Sequence, residues 1–254
     1  MLDTDQAADI LFKRRTNRVL GPRLPEACRP GSCEDALRIQ TTVSELMLAQ
    51  GIKIGAWKCL LPVDGKPNLA PIYRNSIFSQ APVPVLPLED LAAIEPEFAF
   101  VFKRALPPRD TPYSRIDIGE AVGEIRLAFE LIRSRYLNTR ECEYPELLAD
   151  CLLNQGLYLG PIVETSQADL DLFYTTSRGT DKISGHHPNG DPELPLEWLV
   201  NYLRESGTGI EAGQAVITGS IAGILRANFE EDIALRYGEL GETRTRFFNV
   251  ETPR

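Results

Sequence analysis

Histidine is almost missing from this chain: of 254 residues only His186 and His187 carry an imidazole, and they are adjacent. Zinc sites built on spaced histidines, and His-carboxylate water activation early in the chain, are therefore out of reach. The five cysteines (Cys28, Cys33, Cys59, Cys142, Cys151) are odd in number and scattered, so no disulfide framework is expected. Cys28 and Cys33 form a loose C-x4-C without two further zinc ligands nearby. Long apolar runs are missing as well. The longest uncharged one, Ala215 to Leu225, holds Gly and Ser and falls short of the ~18 residues of a membrane span. Met1 to Asp5 lacks a basic region leading into an apolar block, so no secretory signal is expected. These absences predict a soluble, cytoplasmic protein with reduced thiols.

Basic residues are in deficit too. With 27 Lys and Arg against 36 Asp and Glu, the net charge of -9 repels phosphate backbones and anionic lipid. Neither nucleic acid nor a membrane is expected as a partner. An anionic substrate would need a local cation or a metal.

What is present reads as an ordered globular protein. Two helices open it, from Asp5 to about Arg15 and from about Cys33 to Gln50, where Ala36, Ile39, Val43, Leu46 and Met47 recur at helical spacing. Ser32 caps the second and Gly51 stops it. From Ile52 onward short apolar or alternating runs dominate, broken by three expected helices at about Ile116 to Ile125, Tyr144 to Leu153 and Leu194 to Glu205. Many strands with few helices between them predict an α+β fold around a curled sheet. The expected organisation is a helical N-terminal region over residues 1–51 and a β-roll over residues 52–254.

The first chemistry lies in Ile94-Glu95-Pro96-Glu97-Phe98-Ala99-Phe100-Val101-Phe102. Strand periodicity puts Glu95, Glu97, Ala99 and Val101 on one face and Ile94, Phe98, Phe100 and Phe102 on the other. Two carboxylates ~7 Å apart on an apolar wall repel unless something positive lies between them. Alternatively, they sit at the solvated start of an edge strand marked by Pro96. Glu130, alone in the apolar run Leu127 to Ile132, is a third acid in need of a partner. Three carboxylates completed by water and substrate suit Mg2+ or Mn2+.

Four passages occur in order: Gly51-Ile52-Lys53-Ile54-Gly55, Glu95-Pro96-Glu97-Phe98-Ala99-Phe100-Val101, Phe129-Glu130-Leu131-Ile132-Arg133-Ser134-Arg135-Tyr136, and Val216-Ile217-Thr218-Gly219-Ser220. Arg14-Arg15-Thr16 and Gly190-Asp191-Pro192 support them. Together they resemble the 2-keto-4-pentenoate hydratase/4-oxalocrotonate decarboxylase family of the fumarylacetoacetate hydrolase superfamily, over nearly the whole chain. The resemblance implies a mixed β-roll with peripheral helices, metal ligands at Glu95, Glu97 and Glu130, a catalytic lysine at Lys53, and a substrate-binding turn at Gly219 and Ser220. It also implies a homo-oligomer acting on a small 2-oxo acid through a metal-held enolate. The chain departs from the family at Ala149 to Gly156, at Gly55-Ala56-Trp57-Lys58 and at Ala70 to Arg74, all of which border the pocket in relatives.

The expected reaction is hydration of 2-hydroxypenta-2,4-dienoate, as in meta-cleavage aromatic degradation. A departing carboxylate would be held back by Lys58 or Arg74 nearby in sequence, which disfavours decarboxylation, the first alternative. Acylpyruvate C–C hydrolysis is a further alternative, weakened by the lack of an early histidine. From another class, the chain could be a catalytically silent homologue. His186 and His187, in Ser184 to Gly190, read as a polar surface turn.

Overall fold

A computed structural model describes residues 2–250. Helix α1 (Thr4–Asn17) opens the chain, its first turn held by the Asp3 carboxylate accepting from the Gln6 amide. Helix α2 (Cys33–Ala49) is capped in the same way by Ser32 and buries Ala36, Ile39, Val43 and Met47 along one stripe. Strands β1 (Ile54–Val63) and β2 (Lys66–Tyr73) follow as a hairpin. Its turn is Asp64-Gly65, both with positive φ, as a two-residue hairpin loop requires.

The remaining elements are β3 (Ile77–Phe78), β4 (Val83–Val85), β5 (Ala92–Phe102), α3 (Arg115–Ala121), β6 (Val122–Ile132), α4 (Tyr144–Ala149), β7 (Asn154–Val163), β8 (Asp169–Thr176), β9 (Gly179–His186), α5 (Glu193–Glu205), β10 (Ala215–Ile217), β11 (Leu225–Ala227), β12 (Asp232–Tyr237) and β13 (Gly241–Asn249). The strands make two sheets. One runs β2-β1-β10-β5-β6-β7-β3, with β11 also on β5, and the other runs β4-β13-β12-β8-β9. This is the mixed α+β architecture expected from the pattern of short strands and few helices. No helix among the described residues is long and apolar enough to cross a membrane.

Each face of the larger sheet has its own packing partner. Ile94, Phe98, Phe100 and Phe102 of β5 enter the main core, where Phe98 meets Tyr237 of β12 edge-on at 5.8 Å between ring centroids. The opposite face, with Ala56, Ile72, Ala99, Ala128, Leu157 and Ile217, is packed with small and branched side chains. The alternation read for Ile94 to Phe102 is thus present in the fold. A third cluster joins α1, α2 and α4 to Tyr73 and Tyr136.

Two expected helices end sooner than their composition indicated. The one read over Ile116 to Ile125 stops at Ala121, because Val122 onward pairs with β5 and extends β6 well upstream of Leu127. The one read over Tyr144 to Leu153 stops at Ala149. Cys151, Leu152 and Leu153 then take three consecutive left-handed conformations (φ 58°, 50° and 66°), each disfavoured for an L-residue by roughly 1–2 kcal/mol.

Phe98→Ala is expected to cost about 3–5 kcal/mol, because it empties a volume shared by both sheets. The exposed Leu48→Ala is expected to stay within about 0.5 kcal/mol. Urea denaturation of both variants measures the contrast.

Candidate active site

Glu95 lies directly opposite Glu130 in the β5–β6 register, and Glu97 lies opposite Ala128 on the same face. Like charges placed opposite each other on adjacent strands destabilise a sheet. Here all three carboxylates come together, with one oxygen from each lying within 4.8 Å of the others. Glu97 and Glu130 are 2% and 1% exposed.

β5 is a central strand, so Pro96 does not mark an edge. Its missing N–H is tolerated because neighbouring strands leave a gap there. β10 pairs with Ala99 to Val101 and β11 with Ala92 to Ile94, and no strand pairs along that edge between them. The loop after β10 fills the gap: the Ile221 amide donates to the Pro96 carbonyl at 3.0 Å and the Gly219 amide to Glu97 Oε2 at 2.6 Å. Gly219 has φ +121°, and a Cβ there would collide with Leu60 and come within 3.0 Å of Pro188. A glycine is required for its amide to reach the carboxylate.

The cation among these acids is Lys58. Its Nζ donates to Glu130 Oε1 at 2.6 Å and to the Leu152 carbonyl at 3.2 Å. That carbonyl is presented by the left-handed turn at 151–153, which links the unfavourable backbone there to the site. Asn154 Nδ2 donates to the same Glu130 oxygen at 2.9 Å, leaving Glu130 Oε2 buried with no hydrogen-bond partner.

Burial raises the Glu95 carboxyl to about 7, helped by Glu130 and opposed by Lys58. Glu97 is pushed well above the carboxylate range by burial and by both other acids. Burial pulls the Lys58 ammonium down, but the three carboxylates outweigh it and hold it above its ordinary value. One ammonium is too little for three buried carboxylates.

The structure therefore brings together Glu95, Glu97, Glu130 and the backbone of Gly219. Ser220 instead turns its hydroxyl onto the Gly223 carbonyl within its own loop. Lys53 is exposed just ahead of β1, and among the described residues only its backbone carbonyl is engaged, by the Arg74 amide at 2.9 Å. Asn154 occupies a position to which the sequence reading gave no role, and Lys58, invoked there only as a charge that would hold back a departing carboxylate, is the lysine at the acids. Its spacing of two from Ala56 places both on the small-residue face. His187 is not in a surface turn: it is 5% exposed, and its Nε2–H donates to the Thr218 carbonyl at 2.8 Å. Its neighbour Asn189 accepts from the Leu61 amide at 3.1 Å, so this loop ties the end of β1 to the segment carrying Gly219.

Neither the family models nor the curated proteins give a match to the sequence. Solved structures do. 4-Oxalocrotonate decarboxylase from Pseudomonas putida G7, complexed with magnesium and adipate, superposes with a TM-score of 0.79 at 20% identity, covering 96% of this chain and 97% of that one. The same enzyme with calcium and acetate gives 0.77 at 20% identity over the same shares. A protein assigned to the fumarylacetoacetate hydrolase family, from Yersinia pestis CO92, gives 0.55 at 15% identity, covering 78% of this chain and 94% of that one. The fold is that of the fumarylacetoacetate hydrolase family. Within this fumarylacetoacetate hydrolase fold, the carboxylates lie on two central strands, where backbone pairing fixes their spacing.

The raised carboxyls have a consequence for stability. Glu95 binds its proton up to about pH 7 in the folded protein but near 4.5 when unfolded. The folded state therefore holds more protons across that window, and stability falls as pH rises through it. Thermal unfolding in chelator is expected to show a lower Tm at pH 8 than at pH 5.5, with a smaller difference in Glu95→Gln.

Proposed function

We propose that Glu95, Glu97 and Glu130 bind one divalent cation, Mg2+ by preference, and that the protein is a metal-dependent lyase acting on a small 2-oxo acid. The observation that carries this reading is three converging carboxylates with a single ammonium and an unpartnered buried oxygen on Glu130. An all-oxygen donor set suits a hard cation, and two positive charges offset the repulsion that Lys58 alone leaves. When bound, the ion would supply Lewis-acid stabilisation of negative charge on the 2-oxo oxygen.

The chain's own residues do the rest. Asn154 and Lys58 fix the orientation of Glu130, and the Gly219 amide fixes that of Glu97. Lys58, only 13% exposed and held charged by its neighbours, neutralises an incoming carboxylate and stands ready to give and retake a proton. The burial of Lys58 and its contact with Glu130 support an acid–base role for Lys58 rather than for the exposed Lys53.

Hydration is the first reading. 2-Hydroxypenta-2,4-dienoate gains a proton at C5 and loses one from its 2-hydroxyl. Water oxygen then bonds to C4 while C3 takes a proton, giving 4-hydroxy-2-oxopentanoate. An ammonium beside the substrate carboxylate opposes its loss as carbon dioxide. The sequence argument had also called on Arg74, but that side chain is exposed, with its guanidinium beside Gly213. Decarboxylation of 2-oxohex-3-enedioate is the second reading, favoured by the likeness to a decarboxylase structure along 96% of the chain.

Glu97→Gln and Glu130→Gln are each expected to weaken Mg2+ binding at least 10-fold by calorimetry and to reduce turnover of the dienoate by more than about 10²-fold. Unchanged Mg2+ affinity in both overturns the metal assignment. Lys58→Met is expected to lose at least about 10²-fold in kcat, with Lys53→Met within about 3-fold of the parent; the reverse order returns the role to Lys53. Carbon dioxide release from the hexenedioate, with no loss of diene absorbance from the dienoate, selects the second reading.

A further inference from the structure

A cavity of about 150 Å³ lies where the end of α1 meets the turn after β2 and the Ser134-Arg135 segment. Arg14, Arg15, Arg18 and Arg135 all line it, and no Asp or Glu among the described residues does. In a chain of net charge -9 this is a local reversal of sign.

Arg135 is committed. Its guanidinium engages the Asp150 carboxylate and backbone carbonyl and donates to the Asn154 carbonyl at 2.6 Å. The others are not committed in this way. Arg14 donates to the Arg135 carbonyl at 3.4 Å and lies 5.7 Å from the Tyr136 ring centroid, while Arg15 lies 5.3 Å from that of Tyr73 and hydrogen-bonds the Cys151 side chain; both feel the Asp150 carboxylate that Arg135 holds. A guanidinium has five N–H donors, so ring faces, one long carbonyl contact and one thiol leave most of them unanswered. Basic residues in the last turn of a helix ordinarily offset its dipole from solvent. These instead converge on a partly open cavity.

The cavity is separate from the carboxylates. Asn154 sends its amide to Glu130 but does not line the cavity, and neither do Lys58 or the three carboxylates; the wall there is Gln155.

We propose that this cavity is a second anion site, taking a small organic carboxylate of about six non-hydrogen atoms. The size follows from its volume, since a cavity of about 150 Å³ accommodates a molecule as large as benzene. Guanidinium forks match the geometry of a carboxylate. Met47, Phe78 and Leu86 add apolar wall for a short carbon body, which inorganic phosphate lacks.

Calorimetry of the full chain with pyruvate, acetate and inorganic phosphate, each with and without a chelator, tests the site independently of the metal reading. In chelator, where no cation is available to hold a 2-oxo acid at the carboxylates, pyruvate is expected to bind one per chain, with phosphate at least 5-fold weaker. Arg15→Met and the more exposed Arg18→Met are each expected to weaken pyruvate binding, the former by at least 10-fold and Arg15→Lys by less. Absence of pyruvate binding, phosphate binding as tightly as pyruvate, or unchanged affinity in both methionine variants overturns the proposal. So does binding that emerges only when residues 251–254 are deleted, because the chain's own end would then be filling the cavity.

Discussion

The constraint on which the rest of the structure depends is the meeting of three carboxylates on one face of two central strands. Strand register alone sets Glu95 against Glu130 and Glu97 one step along. Such an arrangement persists only if backbone pairing and packing hold it against its own repulsion. The continuous β5–β6 ladder and the aromatic face behind it do so. Phe98 and Phe100 anchor β5 from the far side, so that strand cannot rotate its acids outward without emptying the main core.

The surroundings then hold the carboxylates in place rather than relieve them. Gly219, Lys58 and Asn154 each direct a donor at one carboxylate oxygen. Each donor depends on unusual backbone behind it. Gly219 needs its positive φ, and the carbonyl that shares Lys58 comes from three successive left-handed residues. Asn154 opens β7 immediately after that turn, and its backbone carbonyl is gripped by Arg135. The sheet thus sets the spacing of the acids, while turns and loops aim the polar groups that orient them. A fold that rests its reactive groups on rigid strands and their partners on specialised turns keeps the geometry when a substrate or ion arrives.

Likeness to the decarboxylase structure covers the whole architecture, but at 20% identity it speaks for the fold. Function lives in the site. Here the side chains themselves argue for a cation: a carboxylate oxygen with no partner, and a carboxyl shifted to about 7 by burial.

By itself the sequence determined the fold class, the two-sided character of β5 and the identity of the three acids. These are written in local periodicity, and a strand's alternation needs no knowledge of its neighbours. Tertiary structure alone decided which lysine joins the acids. Lys53 and Lys58 are five residues apart, and the irregular register between Ile54 and Ala56, together with the position of β1 in the sheet, determines which faces inward. It alone placed Asn154 against Glu130 and buried His187 against Thr218, because these contacts join segments 24 and 31 residues apart. The end of the fourth helix was likewise settled from outside: the local apolar pattern favours continuing it through Leu153, but the left-handed turn there presents the Leu152 carbonyl to Lys58, a residue 94 positions away. Long-range contacts of this kind leave no period in the sequence, since each depends on where the sheet brings two distant stretches of chain together.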